Sequence, residues 1–221
     1  MNEFIDIFSG TDPANVSTSV RLLLLLTIFS LAPSIIILMT CFTRIIIVLS
    51  FVRTSLATQQ MPPNQVLIGI ALFLTFFIMA PTLQEINEQA LTPLFEEEIT
   101  LDEAYERAST PIKEFMAKHT RQKDLALFMN YSQMDRPESV EDIPLTTLVP
   151  AFAISELKTA FQMGFMIFIP FLVIDMAVAS VLMSMGMMML PPVMISLPFK
   201  ILLFILVDGW YLITHSLLDG F

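Results

Sequence analysis

The chain has 221 residues, 55% of them hydrophobic and only 14% charged, with a mean hydropathy of +0.74 and a formal net charge of −10. Soluble domains are about one quarter charged, so this is the composition of a membrane protein. Residues 84–150 hold 14 of the 21 acidic and 6 of the 11 basic side chains; the remaining basic residues form no stripe able to neutralise phosphates, which excludes nucleic acid as a partner.

Residues 1–19 contain Glu3, Asp6 and Asp12 and no basic residue, unlike the start of a cleaved signal peptide, and read as an extracytoplasmic N-terminal segment. Four apolar stretches follow, measured against the roughly 20 residues needed to cross a bilayer. The first covers 20–52, with Pro33 as a kink and Arg44 near its far end. As one helix of roughly 33 residues it would measure about 50 Å, so it must tilt, break or extend beyond the membrane. Cys41, the single cysteine, lies inside it and reads as a small buried residue.

Pro62-Pro63-Asn64 suits a turn and helix start, opening the second stretch at Val66 and carrying it to Leu83. Basic residues in short loops mark the cytoplasmic side. Arg53, with Arg44 nearby, therefore assigns the 53–65 connection to the cytoplasm and the insert and both termini to the outside; Arg21 opposes this at the amino end. Segments 1 and 2 together occupy 20–83.

Residues 84–150 form an acidic, helical, extracytoplasmic insert. Asp102 to Ala108 reads as a short charged helix start. Thr110-Pro111, a capping residue and a first-position proline with Glu114 in the following turn, opens a second helix to Met129. Ile112, Phe115, Met116 and His119 recur at spacings of three and four on one apolar face, extended by Leu125, Phe128 and Met129. That face meets either the insert's other helix or a neighbouring molecule. His119 reads as a solvated helix residue, since His215, the only other histidine, lies in another segment.

Residues 151–221 carry segment 3, Phe161 to Met183 with Pro170 and Asp175, and segment 4, Phe199 to Leu218 with Asp208-Gly209-Trp210. A loop rich in methionine and proline, 183–198, joins them. An ionised group inside an apolar run costs about 2.5–3.5 kcal/mol on insertion scales, so Arg44, Asp175, Lys200 and Asp208 need partners or water. Asp175 and Lys200 pair across the hairpin, with Asp208, two turns beyond Lys200, competing. Glu156 and Lys158 stand at the entrance to segment 3, where they cap, pair with neighbours or contact another subunit.

Met187, Met188 and Met189 lie between Gly186 and the pair Pro191-Pro192. Glycine permits backbone geometries closed to other residues, and each proline removes a helix donor. Methionine is flexible and re-packs around changing neighbours. This turn therefore either fills a hairpin core or forms a soft closure around something that must pass. Catalysis has no support: HExxH, GxSxG, Cys/His pairs and glycine-rich phosphate loops are all missing from the sequence, and no cofactor is expected.

With these residues in view, the chain resembles the FliP family, core membrane components of the type III protein export gate. The match rests on Phe42-Thr43-Arg44-Ile45 through Val52-Arg53, on Gln60-Met61-Pro62-Pro63-Asn64-Gln65-Val66, on Phe152 through Phe161, on Asp175, and on Met183-Ser184-Met185-Gly186 through Pro191-Pro192 and Lys200. The resemblance implies an all-α integral membrane protein whose four apolar segments form hairpins within an oligomeric helical pore. It implies a homo-oligomer, pentameric in the family, assembled with FliQ- and FliR-like membrane subunits in the cell membrane at the flagellar basal body. Unfolded flagellar subunits would be exported through that pore. It implies a gasket role for Met187, Met188 and Met189, self-association through Phe115 and Phe128, an interface role for Glu156, and a working charge pair of Asp175 with Lys200. An equivalent subunit of a virulence secretion system and a small-solute channel are the rival readings. No repeat relates segments 1–2 to 3–4, as a transporter built from internal repeats would require.

Overall fold

The first apolar stretch is not one rod. The computed structural model describes residues 20, 22–23, 26–27, 29–31, 34–35, 37–58, 60–133, 137, 139–187 and 190–221. It divides into two units, residues 1–38 and residues 39–221. In the first, the described residues from 20 to 38 are helical, and Leu26 and Phe29 are exposed. Thr27 and Ser30 donate their hydroxyls to the carbonyls of Leu23 and Thr27, both at 2.8 Å, which satisfies them inside the helix itself. Arg21 and Pro33 lie outside the described residues.

The second unit is helical, with no strand among the described residues. After the non-helical residues 39–41, α1 runs over Phe42–Ser55. Helix α2, Asn64–Ile86, passes through a wide turn at Asn87–Leu91 into the short α3, Thr92–Phe95, as one apolar rod of 32 residues. Helices α4, Leu101–His119, and α5, Gln122–Tyr131, follow. Helix α6 spans Leu145–Ser184, and α7, Pro192–Leu206, and α8, Gly209–Leu218, complete the chain.

At 1.5 Å per residue, α6 with its 40 residues extends about 60 Å, twice the hydrocarbon thickness. Helix α1, with 14 residues, reaches only about 21 Å, too short to cross alone. Two rods, Asn64–Phe95 and Leu145–Ser184, are long and apolar enough to cross a membrane, and α7 with α8 adds a third only as a pair bent by 61°. Four uninterrupted spans are therefore not formed among the described residues. The fourth stretch breaks because Asp208 takes a left-handed conformation, φ 49°. The Phe204 ring fills the space beside Gly209, where an added Cβ would meet it at 2.3 Å.

The core forms around α1. Ile45, Val48, Leu49 and Val52 repeat at helical spacing and are at most 1% exposed. They pack with Leu67, Ala71 and Met79 of α2, Ala160 and Phe171 of α6, and Leu217 of α8. Burying each such aliphatic side chain contributes about 1.5–3 kcal/mol. Ser50, Thr54 and Ser55 return their hydroxyls to carbonyls four residues back, which satisfies them within α1.

The helix boundaries of the insert depart from expectation. Thr110-Pro111 does not begin a helix, for α4 runs straight through it. Its start is Thr100, whose hydroxyl accepts from the Glu103 backbone N–H at 3.3 Å while the Glu103 carboxylate accepts from the Thr100 N–H at 2.8 Å. This reciprocal capping contributes roughly 1 kcal/mol. Pro111 gives up one backbone bond and is itself buried, as are Ala104 and Met116 of the same helix. The break falls instead at Thr120-Arg121, both extended. At the far end, α6 begins at Leu145, well before the expected Phe161, because Pro150 is absorbed inside it as Pro170 is.

Helix α6 takes the Phe51 side chain of α1 against Gly164, where a Cβ would lie 2.4 Å from the ring. Gly164→Ala is expected to cost about 1–3 kcal/mol by overpacking, read as a lower thermal midpoint in detergent. An unchanged midpoint would mean that Phe51, edge-on to Phe161 at 5.4 Å, turns aside freely.

Candidate functional site

Apolar helices leave a buried charge few partners, and Arg44 takes all of its own from distant residues. Its Nε donates to Glu156 Oε2 at 2.8 Å, and its Nη2 donates to Oε1 of the same carboxylate. Nη1 donates to the Gly220 carbonyl at 2.8 Å, and the guanidinium lies 3.8 Å from the centre of the Phe221 ring. Arg44 is 4% exposed and Glu156 is not exposed at all. Two parallel charge-assisted bonds suit the planar fork of arginine, and the aromatic face attracts the cation.

The lid on this pair comes from the insert and the chain end together. Phe221 stacks on Phe115 with ring centres 6.2 Å apart and meets His119 edge-on at 5.1 Å. Lys118 Nζ donates to the Phe221 backbone oxygen at 2.9 Å. Phe115 also packs against Phe152 of α6 at 6.1 Å. Within its own chain, half-buried Phe115 of the insert's apolar face packs on Phe152 of α6 and on Phe221. His119 is likewise not solvated: its Nε2 is buried with no hydrogen-bond partner. Burial, then the Arg44 and Lys118 charges, hold it below the usual imidazole range, at about 4.

One residue from Glu156, Ser155 ties down the second insert helix. Its hydroxyl donates to Asp124 Oδ2 at 2.6 Å and accepts from the Arg121 backbone N–H at 3.0 Å. Arg121 Nη2 meets the same Asp124 oxygen at 2.5 Å. Burial would raise the Asp124 carboxyl, but the Ser155 hydroxyl and the Arg121 guanidinium outweigh it and hold it below the ordinary carboxylate range.

A second buried pair lies toward the other end of α6. Lys200 Nζ donates to Asp175 Oδ2 at 2.6 Å, and the Ser196 hydroxyl donates to Asp175 Oδ1. Lys200 is 2% exposed and Ser196 is fully buried. Beyond this pair α6 ends in a turn. Gly186 takes φ 74°, its N–H donates to the Met183 carbonyl at 3.1 Å, and the Met187 N–H donates to the Leu182 carbonyl at 3.0 Å. That is the Schellman arrangement, which needs a residue free to adopt the left-handed region. Pro191 and Pro192 then start α7, where a missing N–H costs nothing.

Of the residues singled out in the sequence, Asp175 and Lys200 are brought together, whereas Arg44 pairs with Glu156 and Asp208 sits at the bend between α7 and α8. Glu156 is fully buried, with both carboxylate oxygens held by Arg44 of its own chain. Phe128 is half-buried on α5. Met187 is exposed, as are Met183, Met185 and Met194 around it; Met188 and Met189 lie outside the described residues. Ser155, Asp124, Ser196 and Phe221 were not anticipated. The one available signal was a polar residue standing in an apolar run, as Ser155 and Ser196 do. Among the described residues, no three of His, Cys, Asp and Glu are placed to hold a metal ion.

Residues 25–217 match the FliP family. The chain is 81% identical over 221 residues to the flagellar biosynthetic protein FliP of Bacillus subtilis (strain 168), covering 100% of both. It is 51% identical over 217 residues to the FliP of Caulobacter vibrioides, covering 98% of this chain and 82% of that one. With the FliP of Aquifex aeolicus it shares 50% over 209 residues, or 94% and 87% of the two chains.

Removing one partner of a buried pair strands the other at a cost of about 3–5 kcal/mol, while an apolar replacement of both is often neutral. Glu156→Leu is therefore expected to lower the thermal midpoint sharply and Arg44→Met with Glu156→Leu to recover most of it; equal losses in the single and double variants would refute the pairing. His119 has a folded pKa of about 4 against 6.5 unfolded. Below pH 6.5 the unfolded chain binds the proton first, so stability declines as pH falls from 6.5 to 4. His119→Phe is expected to flatten that part of the unfolding profile, and an unaltered slope would place the titration elsewhere.

Proposed function

Since this chain belongs to the FliP family and is a component of the flagellar protein export apparatus, we propose that it is a core pore-forming subunit of the export gate. It acts as a homo-oligomer, pentameric by family resemblance, with FliQ- and FliR-like membrane subunits in the bacterial cell membrane, and it conducts unfolded flagellar polypeptides. The rods Asn64–Phe95 and Leu145–Ser184, with the bent pair α7–α8, make it multi-pass, with the 53–65 connection cytoplasmic and the 84–150 insert extracytoplasmic. The contact of Phe221 with Lys118 and Phe115 of the insert supports a chain end on the insert's side.

One observation carries the reading. A methionine-rich turn stands at the tip of the α6–α7 hairpin, and the methionines described around it are exposed. Met183 and Met185 are 63% and 66% exposed. Apolar side chains on this scale are left open where neighbouring molecules or lipid cover them. Thioethers from several protomers, Met187, Met188 and Met189 above all, converge on the axis and hold water and ions back by dewetting. Being unbranched and polarizable, they part around a passing polypeptide and close behind it. Gly186, Pro191 and Pro192 supply the hinge, and the Asp175–Lys200 pair holds the two helices that carry it. Phe128, and Phe115 through its packing on Phe221, support association of the inserts.

Replacing Met187, Met188 and Met189 together with alanine is expected to leave assembly intact and make the reconstituted gate leak small ions. The check is conductance in planar bilayers beside native mass spectrometry of the same preparation. A tight alanine gate of normal mass would rule out the gasket.

A further inference from the structure

We propose that Ser196 is a positioning residue of the gate, fixing the Asp175 carboxylate so that Lys200 holds the α6–α7 hairpin at one separation beneath the methionine turn. The proposal rests on the reading of that turn as the closure. Ser196 and Lys200 are four residues apart on α7 and so share a face. Both are buried, at 0% and 2% exposure, while the Asp175 side chain remains 22% exposed. Lys200 takes Oδ2 at 2.6 Å and Ser196 takes Oδ1. A carboxylate held at both oxygens cannot turn about its Cβ–Cγ bond, whereas one held by Lys200 alone can swing toward its open side. The flexible lysine stem would follow it, and the helix separation would follow the stem.

The hydroxyl has one proton and two acceptors in reach, Asp175 Oδ1 and the Val193 carbonyl at 3.1 Å. Bonding across the hairpin ties α7 to α6, whereas bonding back to Val193 keeps the proton within α7's first turn and frees the crossing. Val193 follows Pro191-Pro192 directly, so the choice is made at the base of the methionine turn. A charged acceptor binds a hydroxyl proton more strongly than a carbonyl does, which favours the cross-hairpin bond.

Hydrogen–deuterium exchange of residues 181–196, followed by mass spectrometry on the complete purified gate, tests this. Ser196→Ala is expected to raise exchange there on the order of tenfold, the equilibrium shift of one charge-assisted bond; Ser196→Thr, which keeps the hydroxyl, is expected to restore it. Asp175→Asn, which also strands the Lys200 charge, should raise exchange at least as far as Ser196→Ala does, and adding Ser196→Ala to it should raise it little further. Wild-type exchange in Ser196→Ala, or full additivity with Asp175→Asn, would overturn the proposal. If the alanine variant does not assemble, Ser196→Thr and Ser196→Cys, a strong and a weak donor, decide it: equal exchange in both sinks the role. The exchange measurement needs no ion seal, so a failed gasket and a failed Ser196 role are told apart.

Discussion

The buried pair of Arg44 and Glu156 is the constraint around which the second unit is organised. Taking two charges out of water costs several kcal/mol each, and only near-ideal geometry with every remaining donor satisfied repays it. Arg44 meets that demand by drawing α6 to α1 through the carboxylate, the chain end through Gly220, and an aromatic face through Phe221. Phe221 in turn needs Phe115, His119 and Lys118 of α4. Satisfying one guanidinium thus brings together the start of the core helix, the long helix, the last residues and the insert.

Helix α6 is the common member of the Arg44–Glu156, Asp124–Ser155 and Asp175–Lys200 contacts. Ser155 and Glu156 serve the insert end, and Asp175, about 30 Å further along at 1.5 Å per residue, serves the turn end. The returning arm keeps step with it: Lys200 opposes Asp175, Phe204 faces Phe171 at 6.4 Å, and Gly220 reaches Arg44 beside Glu156. The bend at Asp208-Gly209 turns α8 without losing this antiparallel register. Between the two polar ends the contacts are apolar and include the large cleft of about 510 Å³ lined by Met163, Pro170, Leu203 and Leu212.

This division suits the proposed gate role. The insert end is tied by ion pairs, stacked rings and a buried serine, and such over-determined packing resists deformation. The turn end has one charge pair and otherwise soft, exposed methionines, which deform at little cost. A rigid base carrying a compliant tip can let a chain through while the subunit keeps its shape.

Much of this was legible in the sequence, and the legible part was local. Apolar run lengths announced a helical membrane protein, Gly186 before Pro191-Pro192 announced a turn, and the short interval between Asp175 and Lys200 made their pairing readable across it. Helical periodicity marked Phe115 and Met116 as one face but not what that face meets. The pairing of Arg44 with Glu156, 112 residues away, left no trace in spacing. Nor did the docking of Phe221, or the passage of α4 through Pro111, which composition alone reads as a start. Local signals extend about one helical turn, because that is the reach of a side chain along its own helix. Which distant partner satisfies a buried charge depends on the simultaneous packing of several helices, and only the tertiary structure decides it.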